Sequence, residues 1–188
     1  MEKLIFSKRL LEKAEQLRRS SVSVLEAPAG YGKTTAVTWA LEGTETALWY
    51  TGVENLPDTS FYWFVRQMAA VDERTLGFLN RSNAPLAAQA LLELRVSRPM
   101  TLIFDNFQFA TDNWPPQIID ALVKRPADGL HIIFIAQNLG RLRAVFEALE
   151  GAVCFLRAGD LLLAQEDVCA FARRRGGTLT AAQAGAIV

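Results

Sequence analysis

Residues 22–35 constrain the fold of this 188-residue chain more than any other stretch. An apolar run of four residues that starts at Val22 predicts a short buried strand, and residues 34–41 after a glycine-containing turn have helical character. Between the two, residues 27–34 match the phosphate-binding loop pattern, with Ala27 in the place of the first glycine. A chance Gly-Lys-Thr on a surface turn is the alternative, and the flanking strand and helix argue against it.

The residue types in this loop suit phosphate binding. Glycines let successive backbone N–H groups converge on an anion, and the helix that follows points unpaired N–H groups at it. We therefore predict that nucleotide phosphates contact Pro28, Ala29, Gly30, Tyr31, Gly32, Lys33, Thr34 and Thr35. Lys33 is expected to reach the β- and γ-phosphates, the Thr34 hydroxyl to ligate Mg²⁺, and Thr35 to contact the α-phosphate.

Predicted strands and helices alternate along the whole chain. The predicted strands are 22–25, 47–51, 100–105, 131–136 and 152–156, and the predicted helices are 7–19, 34–41, 61–71, 84–96, 116–123, 140–149, 164–175 and 180–188. This alternation predicts the α/β class, with a five-stranded, mostly parallel, doubly wound sheet flanked by helices. The aromatic cluster at residues 61–64 is interpreted as core, with base stacking as the alternative.

Asp105 ends the apolar run that begins at Met100. Strands covered on both faces have such continuous apolar runs, and their carboxyl ends lie near the ligand crevice of an open α/β sheet. We expect Asp105 to hold Mg²⁺, directly or through water, opposite Thr34. Gln137 and Asn138 follow the predicted fourth strand, at a position that can carry a residue sensing the γ-phosphate.

Composition excludes several other classes of protein. The chain has 20 basic and 20 acidic residues, so no net charge steers it to nucleic acid, and we predict no direct DNA binding by this segment. The triplet Arg173–Arg175 is interpreted as a helix C-terminus rather than a DNA contact. The absence of a long apolar run and of a signal peptide predicts a cytoplasmic segment without a membrane contact. Cys154 and Cys169 are interpreted as reduced, buried thiols, and His131 as structural.

The stretch Ala27–Thr35, together with Trp39, closely resembles the nucleotide-binding domain of MalT-like, LuxR-family ATP-dependent transcriptional regulators, which are signal-transducing (STAND) P-loop ATPases. Weaker matches cover Arg9–Glu12, Ala47–Tyr50, Phe61–Phe64, Leu102–Gln108, His131–Ala136, Arg141–Arg143, and Leu156–Leu163 with Glu166. The resemblance implies a P-loop NTPase fold of the ASCE/STAND type with ATP/ADP and Mg²⁺ as ligands. It also implies that Arg9 contacts the nucleotide and that Lys33 and Asp105 are catalytic.

The resemblance also implies a domain organisation. Residues 1–158 are expected to form a P-loop ATPase domain, in which residues 1–20 are a lead-in helix. Residues 159–188 are expected to begin a C-terminal helical lid or subdomain that is truncated here. The sensor and DNA-binding domains of such a regulator are then expected outside this chain, and nucleotide-dependent self-association is implied with them.

Two departures from the family pattern concern hydrolysis. Asp105 is followed by Asn106 where the family usually has a second acid, and an amide cannot act as a carboxylate base for the attacking water. Gln137 and Asn138 stand where the family usually has Ser-Arg, so a cation near the γ-phosphate is lost. ATP hydrolysis is therefore expected to be slow or impaired.

Three functional hypotheses follow from the sequence. The leading one is an ATP/ADP-Mg²⁺ switch domain of a bacterial signal-transducing transcriptional regulator. The second is a hydrolysis-deficient protein–protein interaction module that a bound nucleotide stabilises. The third is a small-molecule P-loop kinase, which predicts a basic acceptor site and an Arg-rich lid. The inducer, the target DNA and the oligomeric state stay open.

Overall fold

The computed structural model describes residues 5–43, 46–56, 59–73, 83–124, 127–149 and 151–187. The strands are β1 (Val22–Glu26), β2 (Ala47–Thr51), β3 (Met100–Asp105), β4 (Leu130–Ala136) and β5 (Cys154–Arg157). The helices are α1 (Lys8–Arg19), α2 (Lys33–Ala40), α3 (Thr59–Val71), α4 (Ala84–Glu93), α5 (Pro116–Lys124), α6 (Leu142–Glu147), α7 (Ala158–Leu161), α8 (Gln165–Arg174) and α9 (Ala181–Gly185). Two short 3-10 turns follow β3, at Phe107–Phe109 and Thr111–Asn113.

The strands form one parallel sheet in the order β2-β3-β4-β1-β5. The predicted α/β class with a five-stranded sheet flanked by helices is confirmed. Because parallel strands end at the same edge, the residues after β1, β3 and β4 meet there. Strand β4 lies between β1 and β3, so the loop that leaves β4 lies between the loop after β1 and the end of β3.

Each face of the sheet carries its own apolar cluster because successive strand residues point to opposite faces. In β3, Phe104 belongs to the cluster that α3, α4, α5 and α6 cover, and Ile103 belongs to the cluster under α1 and α2. Phe104 stacks on Phe134 of β4 with ring centroids 5.3 Å apart. Trp114 is fully buried against the same cluster, and its indole N–H donates to the Ser60 hydroxyl at 3.0 Å.

The aromatic cluster of α3 is largely core, as the sequence predicts. Phe61 and Phe64 are buried in the cluster under α3, and Trp63 packs against its edge. Tyr62 is 63% exposed on the outer face of the helix. Helix α3 begins at Thr59, two residues before its predicted start at residue 61.

Helix α1 is attached to the end of the sheet and to α7. It is capped by Ser7, whose hydroxyl accepts from the N–H of Leu10. The Lys13 ammonium donates to the carbonyl of Phe155 at 3.0 Å and to Oδ2 of Asp160 at 2.9 Å. Burial alone raises the pKa of Asp160, but the N–H of Arg157 and the Lys13 ammonium outweigh it, so the pKa is lowered.

The predicted elements differ from the structure mainly at their ends. Helix α4 ends at Glu93, three residues earlier than predicted, because Leu94 turns to an extended conformation and is buried in the core. Strand β5 begins at Cys154 instead of 152, because the N–H of Ala152 closes a turn onto Leu149. The four-residue helix α7 was not predicted. None of the helices within the described ranges is long and apolar enough to cross a membrane.

Candidate nucleotide-binding site

The loop between β1 and α2, residues 27–32, has an open concave side. Gly30 and Gly32 adopt left-handed conformations with φ of 82° and 73°, and beyond the adjacent residues no heavy atom of the described residues lies within 4 Å of the position that a Cβ would take at either glycine. Helix α2 begins directly after Gly32 without a side-chain cap. The N–H groups of its first turn are therefore available to an anion, as in phosphate-binding loops.

Lys33 lies folded back under this loop. Its ammonium donates to the carbonyls of Ala27 at 2.7 Å and Pro28 at 2.8 Å, and the residue is only 9% exposed. Burial lowers the pKa of Lys33, and the negative charge of Asp105 partly opposes this effect. The ammonium thus holds the loop in shape through these two carbonyls, and a nearby anion would stabilise its charge.

Thr34 and Asp105 connect the loop to β3. The Thr34 hydroxyl donates to Oδ2 of Asp105 at 2.8 Å, and the N–H of Asn106 donates to Oδ1 of the same carboxylate at 2.8 Å. Hydroxyl and carboxylate oxygens suit Mg²⁺, which keeps several waters and phosphate oxygens as its other ligands. Among the described residues there is no group of three or more His, Cys, Asp or Glu side chains that alone holds a metal ion. The donor set fits a Mg²⁺ shared with a nucleotide.

The end of β3 is shaped by two backbone features that sequence analysis missed. The N–H of Gly52 donates to the carbonyl of Asp105 at 2.7 Å, and a Cβ on Gly52 would lie 2.5 Å from the carbonyl oxygen of Asn106. Asn106 itself adopts a left-handed conformation with φ of 54°, which asparagine tolerates better than most residues. A glycine directly after a predicted strand is the sequence signal for such a close approach.

Polar side chains link β3 to the loop between β4 and α6, residues 137–141. Oε1 of Gln108 accepts from the N–H of Gln137 at 3.1 Å, and Oδ1 of Asn138 accepts from the N–H of Gly140 at 2.8 Å. Gln137 and Asn138 are both exposed. The structure therefore brings these predicted sensor positions to the edge between the phosphate-binding loop and Asp105.

A cavity of about 530 Å³ opens beside the glycines of the loop. Among the described residues, the phenol of Tyr31 is the only ionisable group that lines it. The lining residues are Gly30, Tyr31, Gly32 and Thr35 from the loop side, and Ile5, Phe6, Leu10, Leu161, Leu162, Leu163, Val168 and Ile187 from the N-terminal segment and the C-terminal helices. A flat, largely apolar group attached to phosphates fits such a cavity.

Arg9 is the one predicted site residue that the structure places apart from the others. Its guanidinium donates to the carbonyl of Gly159 at 3.3 Å, and it lines a neighbouring groove with Glu12 and Asp167. The residue does not line the cavity beside the glycines. A contact between Arg9 and a nucleotide stays a prediction that this geometry does not support.

Comparison with solved structures shows which fold this is. A signal transduction ATPase with numerous domains (STAND) protein with a tetratricopeptide repeat sensor, from Pyrococcus horikoshii, superposes with a TM-score of 0.56, covering 100% of this chain and 28% of that chain at 17% identity. The fold is that of a STAND P-loop ATPase. A Walker-type ATPase of Pyrococcus abyssi shares it, with a TM-score of 0.53 over 97% of this chain and 62% of that chain at 10% identity.

Sequence comparison supports the same assignment. The HTH-type transcriptional regulator MalT of Cronobacter sakazakii is 27% identical over 157 residues, which is 76% of this chain and 17% of the relative. The chain thus spans about a sixth of the length of that curated relative. No protein-family model matches the chain. The predicted resemblance to the STAND P-loop domain of MalT-like regulators is confirmed.

Proposed function

We propose that this STAND domain is an ATP/ADP-Mg²⁺ switch of a bacterial signal-transducing transcriptional regulator. The observation that carries the proposal is the 2.8 Å contact between the Thr34 hydroxyl and the Asp105 carboxylate. This contact places two magnesium-type ligands beside an open glycine loop and the uncapped start of α2. Helix N-termini of this kind bind phosphate through backbone N–H groups, and a nearby Mg²⁺ neutralises the remaining charge.

Each predicted residue has a separate task in this proposal. Backbone N–H groups from Ala29 to Thr34 would hold the phosphates, and Thr35 would contact the α-phosphate. Lys33 would exchange the carbonyls of Ala27 and Pro28 for the β- and γ-phosphate oxygens. Thr34 and Asp105 would hold Mg²⁺, which supplies charge stabilisation to the phosphates when it is bound.

The cavity beside Gly30 and Gly32 is the proposed site for the base. Its walls are mainly apolar side chains, which suit the faces of a purine. They come both from the N-terminal segment and from residues 161–187, so the base would contact the predicted ATPase domain and the predicted helical subdomain together. Binding of a nucleotide would therefore stabilise one arrangement of these two parts.

Hydrolysis is proposed to be slow. The residue after Asp105 is an amide, Asn106, and the β4–α6 loop would present the amides Gln137 and Asn138 to the γ-phosphate. Neither a carboxylate base nor an arginine is therefore present at these positions to orient the attacking water or to stabilise developing charge. In such a switch the ATP state persists, and the difference between ATP and ADP affinity sets the response.

The regulator context is proposed from the relatives. A sensor domain and a DNA-binding domain would lie outside this chain, in the same cytoplasmic protein, and self-association would depend on the nucleotide. This segment would not contact DNA or a membrane directly.

A hydrolysis-deficient interaction module is the second candidate, and Asn106 is the observation that favours it. In that case the nucleotide would stabilise the fold but the ATP and ADP forms would be equivalent. A small-molecule kinase is the least supported candidate, because none of the basic side chains in the described part of the chain lines the cavity beside the loop.

Thermal unfolding tests these candidates together. Saturating MgATP and MgADP are each expected to raise the melting temperature of the wild type and to have no effect on Lys33→Ala. Equal affinities for the two nucleotides would favour the interaction module over the switch. The absence of any shift with either nucleotide would refute both. Consumption of ATP only in the presence of an added small acceptor would favour the kinase.

A further inference from the structure

Glu26 occupies an unusual position for a carboxylate. It is the last residue of β1, immediately before the phosphate-binding loop, and its side chain is only 12% exposed. Its Oε1 accepts from the N–H of Leu139 at 2.9 Å and pairs with the guanidinium of Arg143 at 2.6 Å. Leu139 is fully buried, so this carboxylate fixes both the middle of the β4–α6 loop and the first turn of α6.

The β4–α6 loop is therefore held from both neighbouring strands. Glu26 holds it from the side of β1, and Gln108 holds it from the side of β3 by accepting from the N–H of Gln137. Between these two attachments lie the exposed side chains of Gln137 and Asn138. Because β4 lies between β1 and β3, these amides lie between the phosphate-binding loop and Asp105.

We propose that Glu26 is a positioning residue that orients the β4–α6 loop toward the terminal phosphate and so sets the preference for ATP over ADP. This inference rests on the proposed nucleotide switch. In phosphate-binding loops Mg²⁺ contacts the β- and γ-phosphates and the loop backbone holds the α- and β-phosphates, so the γ-phosphate of a bound ATP would lie toward the end of β3. In this proposal the β4–α6 loop would face the γ-phosphate, which ADP lacks, so a displaced loop would weaken ATP binding and leave ADP binding nearly unchanged.

Glu26 acts through its neighbours and not by contact with the nucleotide. Its contacting oxygen is already used by Leu139 and Arg143, and an unpaired carboxylate at this place would repel phosphates. The ion pair with Arg143 removes that repulsion and ties α6 to the end of β1. Helix α6 in turn packs on α5.

The test measures MgATP and MgADP affinity by calorimetry for the wild type, Glu26→Gln and Glu26→Ala. Glu26→Ala is expected to weaken ATP binding about tenfold, the effect of losing one hydrogen bond to a charged group, and to change ADP binding less than about twofold. Glu26→Gln keeps an acceptor for the N–H of Leu139 but loses the charge. Its ratio of ATP affinity to ADP affinity is therefore expected to lie between the ratios of the wild type and of Glu26→Ala. Asp120→Ala, which removes the exposed ion pair with Lys124, is the control and changes neither affinity.

A structural role alone would lower the affinities for both nucleotides together. If the wild type binds both nucleotides and the two Glu26 variants keep its ratio of affinities, the inference is wrong and the proposed function stands. If the wild type binds neither, the proposed function fails and the inference fails with it. If Glu26→Ala does not fold, the nearly isosteric Glu26→Gln is the test variant. A ratio of ATP affinity to ADP affinity equal to that of the wild type would then refute the positioning role.

Discussion

The substitution Gly52→Ala tests how the end of β3 is built. A Cβ at this position would lie 2.5 Å from the carbonyl oxygen of Asn106 and 3.3 Å from the carbonyl oxygen of Asp105. Both neighbours are backbone atoms, so no side-chain rotation relieves the contact. The φ of Gly52 is not positive, so the expected loss of stability comes from the steric clash of the added Cβ and not from backbone strain. The β2–α3 connection and the end of β3 have to move apart.

The loss of stability caused by Gly52→Ala is estimated from overpacking substitutions at buried sites in other proteins. Such contacts cost about 1–3 kcal/mol, and for a chain of this length each kcal/mol lowers the melting temperature by about 2–4 °C. We therefore expect Gly52→Ala to melt about 4–8 °C lower than the wild type, from a cost of about 2 kcal/mol. The same shift displaces the carboxylate of Asp105 and weakens nucleotide binding in the presence of Mg²⁺.

Gly159→Ala is the matched control. Gly159 lies in α7, its φ is outside the left-handed region, and beyond the adjacent residues and its own helix backbone no described heavy atom lies within 4 Å of its Cβ position. Alanine there is expected to leave the melting temperature unchanged or to raise stability by up to about 1 kcal/mol. Circular dichroism with urea and thermal unfolding measures both variants. Equal melting temperatures for Gly52→Ala and Gly159→Ala would refute the close approach.

Three further predictions concern ionisable groups. Burial lowers the pKa of Lys33, so the affinity for ATP, measured by calorimetry, is expected to fall as the pH rises toward the ordinary lysine range. The affinity of Lys33→Arg is expected not to fall in this way. A wild-type affinity that does not change with pH would contradict the prediction. Asp105→Asn is expected to abolish the Mg²⁺ dependence of ATP binding, measured with and without EDTA, and a retained dependence would exclude Asp105 as the ligand. Asp160→Ala is expected to cost about 1–2 kcal/mol in urea unfolding at pH 7, because the Lys13 pair and the cap of α7 are lost. Since the pKa of Asp160 is lowered, this difference should shrink as the pH falls through the lowered value, and a difference independent of pH would contradict it.

The fold was predictable because its strands are short, apolar and bounded by turn residues. β2 and β3 match their predicted ranges residue for residue, and the loop after β1 was recognised from its glycines and Lys33. The order of the strands was not predictable from periodicity, because pairing depends on contacts between residues far apart in the chain. The predicted ends of helices and strands were also wrong where tertiary packing determines them. Helix α4, for example, ends before Leu94 because Leu94 is buried in the core.

The candidate site was predictable only in part. The sequence placed Thr34 and Asp105 as partners, and the structure brings their side chains within 2.8 Å. Arg9 was assigned by resemblance to the family, and no pattern in the sequence shows that its guanidinium lies at Gly159 instead of in the cavity. Glu26 was missed because its partners, the N–H of Leu139 and the guanidinium of Arg143, lie in a distant segment and leave no local signature. Gly52 directly follows a predicted strand, which signals a close backbone approach, but the sequence does not indicate its partner at the end of β3.

The central claim is that the loop between β1 and α2 binds MgATP and MgADP. Calorimetric titration of the wild type and of Lys33→Ala with each nucleotide tests it most directly. We expect the wild type to bind both nucleotides with Kd of about 1–100 μM, or about −8 to −5.5 kcal/mol, and Lys33→Ala to bind neither measurably. Absence of binding by the wild type, or equal binding by Lys33→Ala, would contradict the claim.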